Sequence, residues 1–275
     1  MTFFSKGSLV SAAVLAVCLC SISSSAQISN YSEQVQVKPP LIRSTDPPSP
    51  DASPSMLEAR ADQLRVQKLF LDALDYYRAA MAKDTRSATI MNKIGITELM
   101  MQRYKEAKKS FDQSIKLNRK FADAYNNLGV VYYEEKKYSP AVKQYRRAIA
   151  LDAASASFYS NLGAALFAKK EFDPAVVAYQ KAVELDPDVF ERTSRGGVQA
   201  QLPSPEDRAR YDYTVARLYA KMGFSDRSLE YLRKAMEEGY KDFFKNVYKD
   251  TEFAELRKDK RFTELVTMKP PALPE

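Results

Sequence analysis

The sequence predicts an all-α protein, a solenoid of stacked helix hairpins closed at its C-terminal end by capping helices. Three observations predict it. Gly95, Gly129 and Gly163 stand 34 residues apart and are three of only eight glycines. Ala107, Ala141 and Ala175 repeat that spacing, and Phe111, Tyr145 and Tyr179 repeat it again. A fixed period of this size marks a supersecondary unit whose apolar face is wet until a neighbour stacks on it.

The elements follow in chain order. Met1–Ala26 is expected to be a secretory signal peptide. Lys6 is its one charge, Leu9–Ile22 is apolar and small, and Ser24 and Ala26 suit a cut before Gln27. The chain holds two cysteines, Cys18 and Cys20, and both fall inside this leader. Val17 and Leu19 precede them, which disfavours lipidation. The remainder then has no Cys, no His and no Trp. This argues against thiol nucleophiles, His-based acid–base chemistry and His- or Cys-ligated metals. We expect no cofactor, no metal and no catalytic residue.

Residues 27–54 hold six of the 14 prolines and few large apolar residues. They are expected to form a disordered linker. Residues 55–87 read as a degenerate first hairpin, with Leu57, Ala61, Leu64, Ala73, Tyr77 and Ala80 in register. Three regular hairpins follow, at 88–121, 122–155 and 156–189. Ser139-Pro140 and Asp173-Pro174 look like an N-cap followed by a first-turn proline, as does Ser204-Pro205. Gly196 and Gly197 mark an inserted loop at 190–204. A degenerate hairpin spans 205–240, with Ala216, Tyr219, Ser228, Leu232 and Ala235 in register. Residues 241–268 supply the capping helices through Phe253, Leu256 and Phe262, and 269–275 form a tail.

The repeated residues carry a resemblance. Tyr125-x2-Leu128-Gly129-x2-Tyr132 with Ala141-x3-Tyr145 is similar to the tetratricopeptide repeat. Tyr159-x2-Leu162-Gly163-x2-Leu166 with Ala175-x3-Tyr179 and Pro187 follows the same pattern. Met91-x2-Ile94-Gly95 with Ala107-x3-Phe111 is a third copy, in which Glu98 replaces the expected aromatic. The resemblance implies a right-handed stack, and a protein that binds other proteins instead of performing chemistry.

It also implies that the first helix of each hairpin lines a concave groove. That groove would show Asn92, Ile96 and Leu99, then Asn126, Val130 and Tyr133, then Ser160, Ala164 and Phe167. Asn127 and Asn161 sit beside them. Family members with asparagines there hold a peptide backbone through amide hydrogen bonds. The expected partner is a protein or peptide segment lying in this groove. Lys93 is the lone basic residue among these positions, which argues against a carboxylate clamp.

The formal charge of +7 is uneven. Residues 88–121 hold eight basic and three acidic residues. Lys105, Lys108, Lys109 and Lys116 share one face of a second helix, with Asp112 among them. This face could meet anionic lipid or envelope polymer. No nucleic-acid partner is expected, since the leader directs export and no nucleic-acid motif is present. The expected location is the periplasm or outside, in a bacterium.

Overall fold

The computed structural model describes residues 43–190 and 204–267. Contacts divide the chain into Met1–Val35 and Gln36–Glu275, and every described residue belongs to the second unit. The expected signal peptide, residues 27–42 of the linker, most of the inserted loop and the tail lie outside the described residues.

The described residues are all-α. Five hairpins follow one another: α1 (Pro54–Val66) with α2 (Phe70–Lys83), α3 (Ala88–Met100) with α4 (Tyr104–Leu117), and α5 (Ala122–Glu134) with α6 (Tyr138–Leu151). Then come α7 (Ala156–Ala168) with α8 (Phe172–Leu185), and α9 (Pro205–Lys221) with α10 (Ser225–Glu237). Each helix packs on its hairpin partner, and successive hairpins stack. This is the α-solenoid that the 34-residue period predicts.

The hairpin turns share one construction. Lys137 N donates to Tyr132 O, and Lys136 N donates to Tyr133 O, both at 2.8 Å. These two bonds satisfy the last carbonyls of α5. The Lys137 carbonyl then accepts from Ala141 N, the first bond of α6. One residue therefore ends one helix and starts the next. The geometry requires a left-handed residue, and Lys68, Gln102, Lys136 and Lys170 supply it at φ 57–67°.

This construction corrects the expected caps. α6 starts at Tyr138 and α8 at Phe172, with no side-chain cap bond at Lys137 or Glu171. Pro140 and Pro174 thus fall in the third helical position. They are tolerated because the first four N–H groups of a helix lack intrahelical acceptors. Ser204 does cap its helix, with Oγ accepting from Asp207 N at 3.1 Å.

Packing explains the repeated small and aromatic residues. Gly95, Gly129 and Gly163 each face a ring sixteen residues further on: Phe111, Tyr145 and Tyr179. Those rings and Ala107, Ala141 and Ala175 are buried between the two helices of a hairpin. Glu98, in place of an aromatic, is buried as well. It accepts from Ser110 Oγ at 2.6 Å and faces Arg78 at 3.9 Å. Burial raises its pKa above the usual carboxylate range, although Ser110 and Arg78 counter the rise.

The linker reading needs correction over 43–53. Asp72 Oδ1 accepts from Ser44 N, Thr45 N and Thr45 Oγ1, at 3.0, 2.9 and 2.8 Å. Arg43 pairs with Asp75 at 2.6 Å, and Tyr76 OH donates to Asp46 O at 3.2 Å. Lys83 Nζ donates to the carbonyls of Pro50 and Ala52. Proline content removes backbone donors but leaves carbonyls free to accept. The segment is strapped along α2 by side chains of that helix.

The C-terminal cap comprises α11 (Phe243–Lys249), two 3₁₀ turns at Thr251–Phe253 and Leu256–Lys258, and α12 (Lys260–Thr267). Phe243, Val247, Phe253, Leu256, Phe262 and Leu265 are buried, so the cap extends the core past the last hairpin. Arg257 Nη1 donates to the carbonyls of Val247, Tyr248 and Asp250, which closes the loose end of α11.

Candidate functional site

The candidate site is the face formed by the first helices. α3, α5 and α7 lie side by side. They are buried nearly all round, and no residue of α5 or α7 is fully exposed. The second helices are different. α4 buries Ala107, Ser110, Phe111 and Ser114 and turns Lys105, Lys109 and Lys116 to solvent.

A series of rungs joins the first helices. Asn161 Nδ2 donates to Asn126 Oδ1 at 2.9 Å. Asn127 Nδ2 donates to Asn92 Oδ1 at 3.1 Å. Lys93 Nζ donates to Glu58 Oε1 at 2.7 Å. All three rungs span 35 residues, one repeat plus one. Asn126 Nδ2 also donates to Asn127 Oδ1 at 3.2 Å, which links two rungs into one ladder.

The ionic rung is the strongest of the three in kind, since both partners are charged. Lys93 also reaches Asp62 at 2.6 Å. Asp62 in turn accepts from the Tyr77 hydroxyl, which takes a hydrogen bond from Arg65 Nε. Burial pushes Asp62 up, but Lys93, Tyr77 and Arg65 outweigh it and hold the carboxyl below its usual range. Burial likewise lowers Lys93, and its two carboxylates reverse the effect, so its pKa is raised. Lys93 is committed within the fold. The local sequence leaves Lys93 unpartnered and gives no sign of Glu58 or Asp62. Glu58 lies one period before Asn92, so the register could have paired them.

The structure places the expected groove residues as follows. Asn92, Leu99, Asn126, Asn127, Val130, Tyr133, Asn161, Ala164 and Phe167 are buried, and Ile96 and Ser160 are half-buried. The expectation of an open apolar groove is therefore corrected. The asparagines are buried because they bond across adjacent helices. Tyr133 packs on Tyr138 at 5.3 Å between ring centroids, and Phe167 on Phe172 at 5.0 Å. Leu99, Val130 and Ala164 belong to the same core.

The lysine face is also adjusted. Lys105, Lys109 and Lys116 are exposed, as placed. Lys108 leans over the Tyr132 ring of the next hairpin, 4.6 Å from its centroid. Among the described residues neither Lys108–Asp112 nor Asp112–Lys116 closes into an ion pair. No described helix is long and apolar enough to cross a membrane.

Comparison with known proteins fits this geometry. A family model described as "TPR repeat" matches residues 99–136 and 129–170. A second, described as "Tetratricopeptide repeat", matches residues 156–189. No curated protein gives a significant match. Among solved structures, PilF from Pseudomonas aeruginosa is 22% identical, with 76% of this chain and 83% of that chain covered and a TM-score of 0.49. MamA from Desulfovibrio magneticus RS-1 is 19% identical, with 69% and 97% covered and a TM-score of 0.48. YrrB, titled a TPR protein with an unusual peptide-binding site, is 22% identical, with 66% and 84% covered and a TM-score of 0.44. Repeat register, hairpin packing and family match agree: the chain carries tetratricopeptide repeats, which the family models match from residue 99 to residue 189.

Proposed function

We propose that this protein is a non-enzymatic scaffold of the bacterial cell envelope that holds a segment of a partner protein along the first helices α3, α5 and α7. Its leader, Met1–Ala26, would export it to the periplasm or beyond. The observation that carries the reading is the amide ladder. Asn126, Asn127 and Asn161 are buried and bond to one another and to Asn92, which fixes α3, α5 and α7 as one continuous face. Ile96 and Ser160, the two half-buried positions, flank that seam. A segment lying along these helices would rest on the half-buried margins of the seam, while the ladder keeps the helices in register beneath it.

The test is site-specific photocrosslinking in the native cell, followed by mass spectrometry. A photoreactive residue at Ile96 or Ser160 should trap a partner protein. The same residue at Lys109, on the opposite helix layer, should trap less of it. No adduct from either Ile96 or Ser160 overturns the assignment.

A second reading is supported by Lys105, Lys109 and Lys116, which are exposed on one face without an ion pair among the described residues. This face would hold an anionic envelope polymer. Retention on that polymer should then fall with salt and with the triple change to Glu. Retention insensitive to both overturns it.

A further inference from the structure

The C-terminal cap carries a surface that neither reading uses. α11 advances about 100° per residue, so its seven residues divide into stripes. Phe243 and Val247 form the buried stripe. Phe244 and Tyr248, one turn apart, form a second stripe and stand 41% and 57% exposed. Lys245 and Lys249, also one turn apart, form a third stripe and are exposed. Lys241, just before the helix, is exposed too. Aromatic exposure on this scale is uncommon here. Among the described residues, these two are the only exposed aromatics that share a helix face.

Within the helix and the residues directly flanking it, Asp242 is the exposed acid against Lys241, Lys245 and Lys249. Elsewhere in the cap Glu255 pairs with Lys258, and Glu264 lies on α12. Asp250 accepts from Tyr213 OH and pairs with Arg217, and Glu252 pairs with Arg217 as well. Both carboxylates are thereby turned from the lysine stripe toward α9. The rings are held in place from beneath, with Phe244 edge-on to Phe243 at 5.2 Å and Tyr248 edge-on to Phe262 at 6.1 Å.

We infer that α11 is a peripheral contact with an anionic phospholipid bilayer. The aromatic stripe suits the boundary between headgroup and acyl chain, where a ring buries its apolar body and Tyr keeps its hydroxyl wet. The lysine stripe suits the phosphates, and long lysine stems allow their charges to stay at headgroup level. The insertion is shallow, because Phe243 and Val247 stay committed to the core. This contact lies on α11 and is independent of the first-helix face, so either can fail alone.

The chain has no tryptophan, so Tyr248→Trp creates a single local probe in the full-length protein. Its emission should shift to the blue on vesicles of phosphatidylcholine with phosphatidylglycerol. Lipids brominated in their acyl chains should quench it, as expected for a ring at the headgroup–acyl boundary. Pure phosphatidylcholine vesicles should give neither effect. Adding Lys245→Glu and Lys249→Glu should abolish both. Val177→Trp, at an exposed position on α8, is the control and should stay unshifted. Far-ultraviolet circular dichroism verifies that each variant is folded. An unshifted Tyr248→Trp, an equal response from Val177→Trp, or a response that survives the charge reversal would each overturn the inference.

Discussion

Gly129 lies directly beneath the Tyr145 ring. A Cβ built on Gly129 would stand 2.6 Å from Tyr145 Cε1 and 2.7 Å from Cδ1. The same contact recurs at Gly95 with Phe111 and at Gly163 with Tyr179. The Tyr145 ring is fully buried and has nowhere to move. Replacing Gly129 by Ala gains about 1 kcal/mol of helix propensity. It also overpacks the hairpin, which costs roughly 1–3 kcal/mol. Overpacking should win. Gly129→Ala should lower the thermal midpoint, and Gly129→Ala with Tyr145→Leu should recover part of it. A midpoint raised by Gly129→Ala alone would contradict the contact.

Lys136 sits at φ 59°, where an L-residue pays for its Cβ. Lys136→Gly should stabilise the protein by about 0.5–1 kcal/mol, the left-handed strain less the entropy of glycine. Lys170 is also left-handed, but its Nζ pairs with the buried Asp207. Lys170→Gly should therefore gain nothing or lose stability. Chemical denaturation of the two variants tests the contrast.

Asp212 is buried on α9 against the Arg208–Glu238 pair, with Lys234 nearby. Burial first, and Glu238 second, push its carboxyl up to about 7, while Lys234 and Arg208 oppose the rise. The folded state thus holds a proton that the unfolded chain releases near its ordinary pKa of about 3.9. Stability from this group is present at low pH and is lost as pH rises from about 4 to about 7. Asp212→Asn should raise the thermal midpoint at pH 8 and change it little at pH 4. Equal effects at both values would refute the shift.

Asp72 has the opposite sign. Burial raises it, but the hydrogen bonds from Thr45 and Ser44 prevail and lower its pKa. Its contribution is present above the ordinary carboxylate range and is lost on acidification. Asp72→Ala should release the strap and speed tryptic cleavage after Arg43. Unchanged cleavage would show that Arg43–Asp75 and Lys83 hold the segment without it.

Asn127→Ala removes a donor to Asn92 and an acceptor for Asn126, both buried. It should destabilise the protein by about 1–3 kcal/mol. Loss of partner capture by this variant would mix binding with folding, whereas a change at half-buried Ile96 or Ser160 would not. A variant as stable as the parent would show that the ladder adds nothing to the stack.

The hairpins were legible because one geometric demand recurs every 34 residues. Gly129, Ala141 and Tyr145 fill one helix crossing, and each crossing needs the same small and large partners. Local chemistry was less legible where two elements compete for a residue. Ser139-Pro140 has the composition of a cap, yet Lys137 already starts α6 as it ends α5. The strap at 43–53 has no local signal, because its partners Asp72, Asp75 and Lys83 are about 30 residues away. The asparagines were placed on the correct helices. Their burial depends on the facing asparagine one repeat away, which a surface pattern on a single helix does not contain.

The rungs have a mechanical consequence. They run from Lys93–Glu58 through Asn127–Asn92 to Asn161–Asn126 and then stop. At the next joint, Thr214 occupies the position of Asn161 in the register and donates to its own helix, at Arg210 O. Beside it, Tyr211 meets Phe167, Tyr179 and Phe190 edge-on, at 6.2, 5.3 and 5.9 Å. A hydrogen bond resists sliding because it is directional, whereas an apolar contact keeps most of its energy through a small rotation. Compliance is therefore unevenly distributed along the stack. Through the first helices the first four hairpins are pinned in register, whereas the fifth is tied from outside that layer, by Lys170 on Asp207 and by Tyr219 OH and Arg227 on the Pro187 carbonyl.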